Sequence, residues 1–421
     1  MSTLRPKYTF LLVLTFCLSI NLNGKTDRYR LVIRDNPATS MVVGWQQVSG
    51  LDAKLYYGTE DFGQNWKDYP HSQAADKTIE YKGMNNHFVR LKGLKPQTHY
   101  YFVIRDSEGV SQRFRFETLP NKPSQKLSIV AGGDARGSGI GNQAIDPRIK
   151  TNSMVAKIQP HLVLFGGDFT LRDSDGQWQA WFDDWQHSFT KDGKITPLVP
   201  ARGNHEDSDE VLVNLFDISS AKGYYNLTLG GKLAQIYTLN TLISIEGDQT
   251  DWLNKELKKN EGKQTWRIVQ YHQPMFPHHE RKKLRPDIYN NWAGLFYQYH
   301  VNLVVECDAH VVKSTWPMKP SKDPSADHGM VRADEDGTIY VGEGTWALTR
   351  SKIKAYSWTR GIDSFLQFRW MIVGPESLEV RTVKIEESQG CEPVSPENRF
   401  SLPKGVVLWE PGNFTLTLNS D

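Results

Sequence analysis

The sequence predicts two domains, an all-β sandwich followed by a layered α/β domain. Residues 28–118 contain short runs of strand-forming residues separated by turns, which is typical of a sandwich. From residue 126 to about residue 383, strand-like and helix-like runs alternate, and this alternation favours layers of sheet and helix. A length of 421 residues also favours two domains over one.

Six short strand candidates lie in the N-terminal domain, which we place at residues 28–118. They are residues 29–33, 40–45, 54–57, 86–91, 100–105 and 113–118. Residues 94–101, Leu-Lys-Pro-Gln-Thr-His-Tyr-Tyr, resemble the tyrosine-corner segment of fibronectin type III domains. We expect Trp45 to lie in the core of this sandwich.

The C-terminal domain is predicted at residues 126–385, after a proline-containing linker, and residues 386–421 form an extension. It opens with a strand at 126–132 and a helix near 149–158, and further strands are expected at 161–165 and 198–200. Between the last two strands, one segment has aromatic residues at helical spacing: Trp178, Trp181, Phe182 and Trp185. This spacing predicts the buried face of a helix, and a platform that stacks sugars or bases is the alternative.

Residues 1–24 are predicted to be a cleaved signal peptide, because Arg5 and Lys7 precede a short apolar run at 8–20. That run is too short for a transmembrane helix, and no other segment is apolar enough to be one. We therefore expect a secreted or periplasmic protein without a transmembrane segment. The mature chain would keep Cys307 and Cys391, which we expect to stay unpaired, although an oxidising compartment would permit a disulfide.

The charge balance is nearly even, with 50 Lys and Arg against 48 Asp and Glu. This balance argues against an extended surface for nucleic acid or another polyanion, so no nucleic-acid partner is expected. The sequence gives no prediction for the oligomeric state.

Five polar clusters follow one another along the C-terminal domain, mostly just after a predicted strand. They are Gly133-Asp134, Gly167-Asp168, Gly203-Asn204-His205-Glu206, Tyr271-His272 and Asp308-Ala309-His310. Because the strand ends of one sheet converge in space, these clusters can meet in a single site. Asp, Asn and His supply the oxygen and nitrogen ligands that hard or borderline divalent metals prefer. A single Gly-Asp pair is usually only a turn, but the ordered set indicates a metal site.

The set resembles the calcineurin-like metallophosphatases and, within them, the purple acid phosphatases. That family has a fibronectin-like domain ahead of a catalytic domain with the motifs Asp, Gly-Asp-x-x-Tyr, Gly-Asn-His-Glu, a lone His and Gly-His-x-His. The resemblance covers nearly all of the mature chain. It implies a two-metal site inside a two-sheet β-sandwich that is flanked by helices.

Carried over motif by motif, the resemblance implies six metal ligands: Asp134, Asp168, Asn204, His272, Asp308 and His310. Asp134 and His310 would bind the first metal, and Asp168 would bridge to the second, which the other three residues would hold. His205 would act with Asp168 in catalysis by contacting the phosphate and protonating or orienting the leaving group. Two cations about 3.5–4 Å apart would clamp the reacting oxygens and supply the attacking hydroxide.

Three positions depart from the family pattern. Cys307 stands where the last motif has its glycine, and the other two bear on metal binding. Leu171 stands where the family has its tyrosine, so tyrosinate coordination of iron cannot occur. Asp308 replaces the first His of the last motif, which makes the second site harder and more anionic. The two ions could therefore be Fe, Zn, Mn, Mg or Ca.

Asn204 is also a candidate for binding the substrate, and four further residues are candidates for binding its phosphate: Arg136, Arg202, His278 and His279. An arginine can hold phosphate with a bidentate fork, and a histidine can hydrogen-bond to it. The alternatives are structural salt bridges for the arginines and a solvated loop for the histidines. The adjacent basic run at 281–285 is interpreted as a solvated face.

The resemblance predicts a metal-dependent phosphoric ester hydrolase that acts on small-molecule phosphate monoesters, with diesters as a second substrate class. A phosphodiesterase or nucleotidase on the same scaffold is one alternative. The other is a non-catalytic binding protein with a degenerate phosphatase site, which the changes at Leu171 and Asp308 motivate.

Overall fold

The computed structural model describes residues 25–136, 145–395, 397–411 and 415–420. The predicted signal peptide at residues 1–24 lies outside these ranges. The predicted fold class is confirmed, because an all-β N-terminal part precedes an α/β part that is built from two facing sheets with helices around them.

The N-terminal part has eight strands: β1 Thr26–Val32, β2 Ser40–Gln47, β3 Lys54–Gly58, β4 His71–Ala74, β5 Lys77–Tyr81, β6 Met84–Lys92, β7 His99–Arg105 and β8 Phe114–Glu117. They form two sheets, in the orders β1-β2-β6-β5 and β4-β3-β7-β8. Trp45 is fully buried between them, and the backbone N–H of Lys95 donates to the Tyr100 hydroxyl (2.9 Å) as in a tyrosine corner. The unpredicted strands β4 and β5 have no buried residue, so apolar periodicity gave no signal for them.

The C-terminal part contributes sixteen strands: β9 Leu127–Gly132, β10 Leu162–Phe165, β11 Leu198–Pro200, β12 Tyr225–Leu229, β13 Ala234–Thr238, β14 Trp266–Gln270, β15 Leu303–Glu306, β16 Val312–Thr315, β17 Met318–Pro320, β18 Met330–Arg332, β19 Ile339–Gly342, β20 Thr359–Asp363, β21 Gln367–Val373, β22 Ser377–Lys384, β23 Leu408–Trp409 and β24 Leu416–Asn419. The described α-helices are α1 Ile145–Ile158, α2 Asp175–Trp185, α3 Glu210–Phe216, α4 Asp248–Lys259, α5 Pro286–Ile288 and α6 Gly294–Gln298. A π-helical turn, Tyr289–Ala293, joins the last two helices.

Two large sheets face each other in this part. One contains the order β22-β21-β9-β10-β11, and the other runs β12-β13-β14-β15-β19-β16-β20. Strands such as β10 and β21 are buried at every residue, as expected where both faces of a sheet are covered. The sheets are also tied by hydrogen bonds, since Gln270 on β14 donates to the Val199 carbonyl on β11 (3.1 Å).

The N-terminal sheet and the first large sheet are continuous. Strand β1 pairs in parallel with β11, with Val32 opposite Leu198, and the N–H of Ile33 donates to the Leu198 carbonyl (2.9 Å). The sequence gave no indication of this pairing. The two parts therefore share one sheet, in addition to the linker that joins them.

The aromatic stripe on α2 is the buried face of that helix. Its four aromatic side chains are at most 1% exposed. They pack with Phe165 at the end of β10, with Phe169 in the next loop and with Phe216 on α3. This packing excludes a stacking platform for sugars or bases and instead fixes the loop that follows β10.

A buried charged cluster joins the N-terminal part, the α/β part and the C-terminal extension. His161 accepts the N–H of Ser128 at Nδ1 (2.9 Å), and its Nε2 lies 2.7 Å from Arg399 Nη1. Arg399 in turn binds Glu117 on β8 (2.6 Å). Burial, followed by the nearby Arg399, lowers the pKa of His161 to about 3.

We predict that the His161 cluster makes the fold sensitive to acid. The folded pKa of about 3 lies below the ordinary value of 6.5, so stability is lost as pH falls below 6.5, when only the unfolded chain gains this proton. Between pH 7 and pH 5 the wild type should lose about 2 kcal/mol more unfolding free energy than His161→Gln. Urea denaturation at both pH values measures this, with the exposed His300→Gln as control, and equal losses in wild type and His161→Gln would contradict it.

Candidate metal centre

The predicted metal ligands lie in loops at the carboxyl ends of strands in both sheets. The loops after β9, β10 and β11 carry Asp134, Asp168 and Asn204, and the loops after β14 and β15 carry His272, Asp308 and His310. Strands β9, β10 and β11 are parallel, as are β14 and β15. Their ends therefore converge, and all six residues come together.

Four of these residues adopt left-handed backbone conformations. Asp134, Asp168, Asp308 and His310 have φ angles of 64°, 54°, 69° and 60°. Such angles cost residues other than glycine of the order of 1–3 kcal/mol and accumulate at functional sites. The neighbouring Gly203 makes room for the tight turn, because a Cβ there would lie 2.2 Å from the Asp168 nitrogen.

One group of donors surrounds His272, which is fully buried. Its Nε2 lies 3.1 Å from Asp168 Oδ1, 3.1 Å from Asn204 Oδ1 and 3.7 Å from Asp308 Oδ1. His272 Nδ1 donates to the Gly166 carbonyl (2.8 Å), so Nε2 is the ring nitrogen that faces the carboxylates and the one that could bind a metal. Donor atoms of Asp168, His272 and Asp308 all lie within 4.8 Å of one another. We call Asp168, Asn204, His272 and Asp308 together the His272 group.

A second group consists of Asp134, His310 and the Oδ2 atom of Asp168. We call it the His310 group. The guanidinium of Arg136 lies within it, with Nε 2.9 Å from Asp168 Oδ2 and Nη2 2.8 Å from His310 Nε2. His310 Nδ1 faces Asp134 Oδ1 at 3.5 Å. Asp134 Oδ2 accepts the N–H of Asp308 (2.9 Å). Arg136 is only 7% exposed, so this arrangement is buried.

The electrostatics of the two groups follow from burial and from their basic neighbours. Burial would raise the pKa of Asp168, but His272, His205 and Arg136 together hold it below its ordinary value. Burial, followed by Arg136, Lys282 and Arg350, holds the pKa of His310 well below its ordinary value.

Lys282 binds the Asp308 carboxylate, so it belongs to the site and not to a solvated face. Lys282 was not predicted as a site residue, because it lies within a basic run of the sequence and such runs are usually solvated. Its side chain is 23% exposed, which leaves the ammonium group access to solvent.

His205 lies beside the donors with one ring nitrogen free. Its Nδ1 donates to the Leu171 carbonyl (2.6 Å), and its Nε2 is 3.8 Å from Asp168 Oδ2. The side chain is 24% exposed, so a ligand in the site can reach it. Burial lowers the pKa of His205. Leu171 thus contributes through its backbone, although its side chain cannot bind metal.

The structure does not bring three of the predicted phosphate ligands to the donors. Arg202 pairs with Asp209 (2.6 Å) and with the Glu206 carbonyl, which is the structural alternative. His278 is fully buried, and its Nε2 lies 2.9 Å from the Thr359 hydroxyl. His279 is 4% exposed, and its Nδ1 accepts the N–H of Arg281 (3.2 Å). Of the four candidates, Arg136 is the one that contacts predicted metal ligands.

Glu206 is a positioning residue at the end of the Gly-Asn-His-Glu motif. The sequence alone did not predict a role for it. Its buried carboxylate accepts the backbone N–H groups of Asp168 (3.0 Å), Phe169 (2.9 Å) and Gly203 (2.6 Å). One side chain therefore joins the loops after β10 and β11. Burial, followed by the charge of Asp168, raises the pKa of Glu206 to about 7.

A buried ion triad beneath the site fixes the loops of the second sheet. Lys313 contacts the carboxylates of Glu306 and Glu343, and all three side chains are at most 1% exposed. Glu306 also accepts the Tyr271 hydroxyl (2.7 Å), while the Glu343 carbonyl accepts the N–H of His310 (2.8 Å). The triad thus holds the loops that carry His272 and His310.

Cys307 is a buried filler with no sign of nucleophilic activation. It packs so closely that a Cβ on Gly166 would lie 2.4 Å from its sulfur. Burial raises the pKa of its thiol to about 12. Both Cys307 and Cys391 are free, as expected from the sequence.

Comparison with known families identifies this arrangement. Residues 26–118 match the model for the N-terminal domain of purple acid phosphatases, and residues 143–312 match the model for calcineurin-like phosphoesterases. The chain is a calcineurin-like phosphoesterase with a purple acid phosphatase N-terminal domain. The resemblance seen in the sequence is thereby confirmed.

Individual relatives of this calcineurin-like phosphoesterase are distant. It is 23% identical over 306 residues to purple acid phosphatase 21 of Arabidopsis thaliana, covering 67% of this chain and 63% of the relative. It therefore spans less than two thirds of that relative. Acid phosphatase type 7 of Danio rerio is 22% identical over 320 residues, covering 66% of this chain and 69% of the relative.

Its fold is shared with a purple acid phosphatase from yellow lupin (Lupinus luteus) seeds. The TM-score is 0.70 at 14% identity, covering 91% of this chain and 76% of the lupin chain. Among the described residues of the phosphoesterase, no helix is both long and apolar enough to cross a membrane.

The family implies a centre of two metal ions, and the two donor groups fit such ions differently. The His272 group offers three oxygen donors and one imidazole nitrogen, a set that suits a divalent cation. In the His310 group, the Arg136 guanidinium already contacts Asp168 and His310. The residues of this chain therefore fit an ion in the His272 group, while Arg136 competes for the other position.

We predict that Glu206→Gln weakens metal binding in the His272 group by about 10–100-fold, the effect usual for residues that orient ligands. The glutamine amide would point a donor at backbone N–H groups, so Asp168 should lose its position. Mn²⁺ titration by calorimetry measures the affinity, with Glu210→Gln on the exposed start of α3 as the matched control. An unchanged dissociation constant in Glu206→Gln would contradict the positioning role.

Proposed function

We propose that this chain is a metal-dependent phosphoesterase that hydrolyses phosphate monoesters. The observation that carries the proposal is the His272 group, in which the buried residues Asp168, His272 and Asp308 converge within 4.8 Å beside the accessible ring of His205. These residues come from loops of two different sheets, so their convergence is not a product of sequence proximity. An accessible imidazole beside such a group supports catalysis, because it can exchange a proton with a bound ester.

The cation would be held by Asp168, Asn204, His272 and Asp308. When bound, it supplies Lewis acidity toward the phosphoryl oxygens and lowers the pKa of a neighbouring water. Two carboxylates and one amide oxygen among these four residues favour a hard cation such as Mn²⁺ or Mg²⁺, and the imidazole also admits Zn²⁺ or Fe. Asp168 contributes one oxygen to this group and the other to Arg136, so it fixes the distance between them.

His205 is the residue best placed to handle a proton of the substrate. Its Nδ1 is held by the Leu171 carbonyl, so its Nε2 is oriented toward Asp168 and the site. Once protonated, the imidazole in this position can donate its Nε2 proton to a leaving oxygen or hydrogen-bond to a phosphate oxygen. The leaving group of a phosphate ester gains negative charge as the bond breaks, and that charge is what His205 would neutralise.

The positive charges around the site favour monoesters over diesters. Arg136, Lys282 and Arg350 all act on His310, so the cluster lies in a basic environment. A monoester carries up to two negative charges near neutral pH, whereas a diester carries one, and the former gains more from this field. We further propose that the substrate is a small molecule and that residues 1–24 direct secretion through their basic start and apolar run.

The metal-free protein should hydrolyse phenyl phosphate only after a divalent cation is restored. Mn, Zn, Fe, Mg and Ca would be added in turn, with a diphenyl phosphate assay in parallel for diester activity. Asp168→Ala should lose at least about 100-fold in kcat, because it removes charge from both donor groups. If the wild type binds an ion yet turns over neither ester, the proposed function fails and a binding role gains support.

We predict that His205→Asn acts mainly on esters with poor leaving groups. Loss of a general acid should reduce kcat for an alkyl phosphate by about 10²–10⁴-fold. For 4-nitrophenyl phosphate the loss should be much smaller, since 4-nitrophenolate leaves without a proton. Parallel kcat measurements on both substrates test this, and equal losses on both would show that His205 only binds the phosphate.

A further inference from the structure

The position of Arg136 bears on the number of metal ions that this chain can bind. Arg136 follows Asp134 by two positions in the loop after β9, so its backbone lies close to the His310 group. Its guanidinium lies 2.9 Å from Asp168 Oδ2 and 2.8 Å from His310 Nε2. Both atoms belong to residues that the family pattern assigns to the first metal.

The contact with His310 uses the only lone pair that could bind an ion at that nitrogen. Nε2 accepts a hydrogen bond from Arg136, so its lone pair is not available to a metal at the same time. The other ring nitrogen faces Asp134 Oδ1 at 3.5 Å. Arg136 and a first metal therefore exclude each other in this arrangement.

A guanidinium can replace a cation here because of its charge and shape. Arginine stays protonated at all relevant pH values, and its planar fork presents several N–H donors in fixed directions. Arg136 is 7% exposed and forms an ion pair with Asp168, so it brings a buried positive charge to the His310 group. The ligand set is also one residue short, because Leu171 stands at the family's tyrosine position and cannot bind metal.

The His272 group differs in both respects. It keeps four donors, and its basic neighbour Lys282 contacts only Asp308. The Lys282 side chain is 23% exposed against 9% for Arg136, and a flexible ammonium can move into solvent when an ion binds. A cation can therefore displace Lys282 at lower cost than Arg136.

We propose that this chain holds a single metal ion, in the His272 group, and that the Arg136 guanidinium serves as the permanent cation of the His310 group. This inference rests on the proposed function. It narrows the site to one metal ion and one arginine, which lie on opposite sides of the Asp168 carboxylate. The substrate phosphate would then lie between a metal and an arginine instead of between two metals.

Metal content and spin coupling test the stoichiometry without an activity assay. The full chain would be saturated with Mn²⁺, freed of excess ion and analysed by mass spectrometry and electron paramagnetic resonance. We expect one Mn per chain and the six-line spectrum of an isolated Mn²⁺. Two ions per chain with a spin-coupled spectrum, as expected for ions about 3.5–4 Å apart, would overturn the proposal.

Removal of the arginine should open the second position. Arg136→Ala should raise the content from one to two Mn per chain, and Arg136→Gln provides a variant that keeps more of the buried stem. Arg381→Ala, which removes a similarly buried arginine paired with Glu379, should stay at one ion. If both Arg136 variants remain at one ion, Arg136 is not what limits the stoichiometry, and the proposal fails.

Thermal stability gives a second readout on the same proteins. Without Arg136, Asp134 and Asp168 lose their buried counter-charge until an ion binds, so Mn²⁺ should raise Tm more in Arg136→Ala than in the wild type. An equal rise in both would count against the proposal. Two ions in an active wild type would refute only this inference, whereas no bound ion would refute the proposed function as well.

Discussion

The site depends on keeping the carboxylate of Asp168 ionised although it is fully buried. Asp168 Oδ1 faces His272 Nε2 at 3.1 Å and accepts the backbone N–H of His205. Asp168 Oδ2 faces Arg136 Nε at 2.9 Å. A buried carboxylate without such partners would be protonated and would lose its value as a ligand. The partners come from loops after β9, β11 and β14, so this one group requires both sheets to be in register.

Glu206 and the Lys313 triad extend the same constraint outward. Glu206 holds the backbone that carries Asp168, and the triad holds the loops that carry His272 and His310. Each is a buried set of polar side chains whose carboxylates accept N–H or O–H donors or face an opposite charge. The centre of the protein is thus a set of buried polar and charged groups that hold one another in place, inside a shell of apolar strands.

Much of the fold and of the donor set could be predicted from the sequence. Strands such as β2 and β11 show apolar runs, and the Gly-Asn-His-Glu motif marks its loop. The sequence could not show that β1 pairs with β11, because both strands are short and their pairing depends on tertiary packing. It also could not show where long side chains turn: Arg136 reaches the donors, Arg202 turns to Asp209, and His278 turns to Thr359. Spacing locates a loop, whereas the direction of a flexible side chain depends on charges that are distant in sequence.

The shared sheet has a consequence for attempts to isolate the α/β part. Cutting the chain after residue 118 would remove β1 and leave β11 with an unpaired row of N–H and C=O groups along one side. An open edge of this kind recruits strands from other molecules. A truncated enzyme would therefore tend to aggregate, even though every residue of its donor groups is still present. In this protein the sandwich acts as a cap on the catalytic sheet, whatever else it binds.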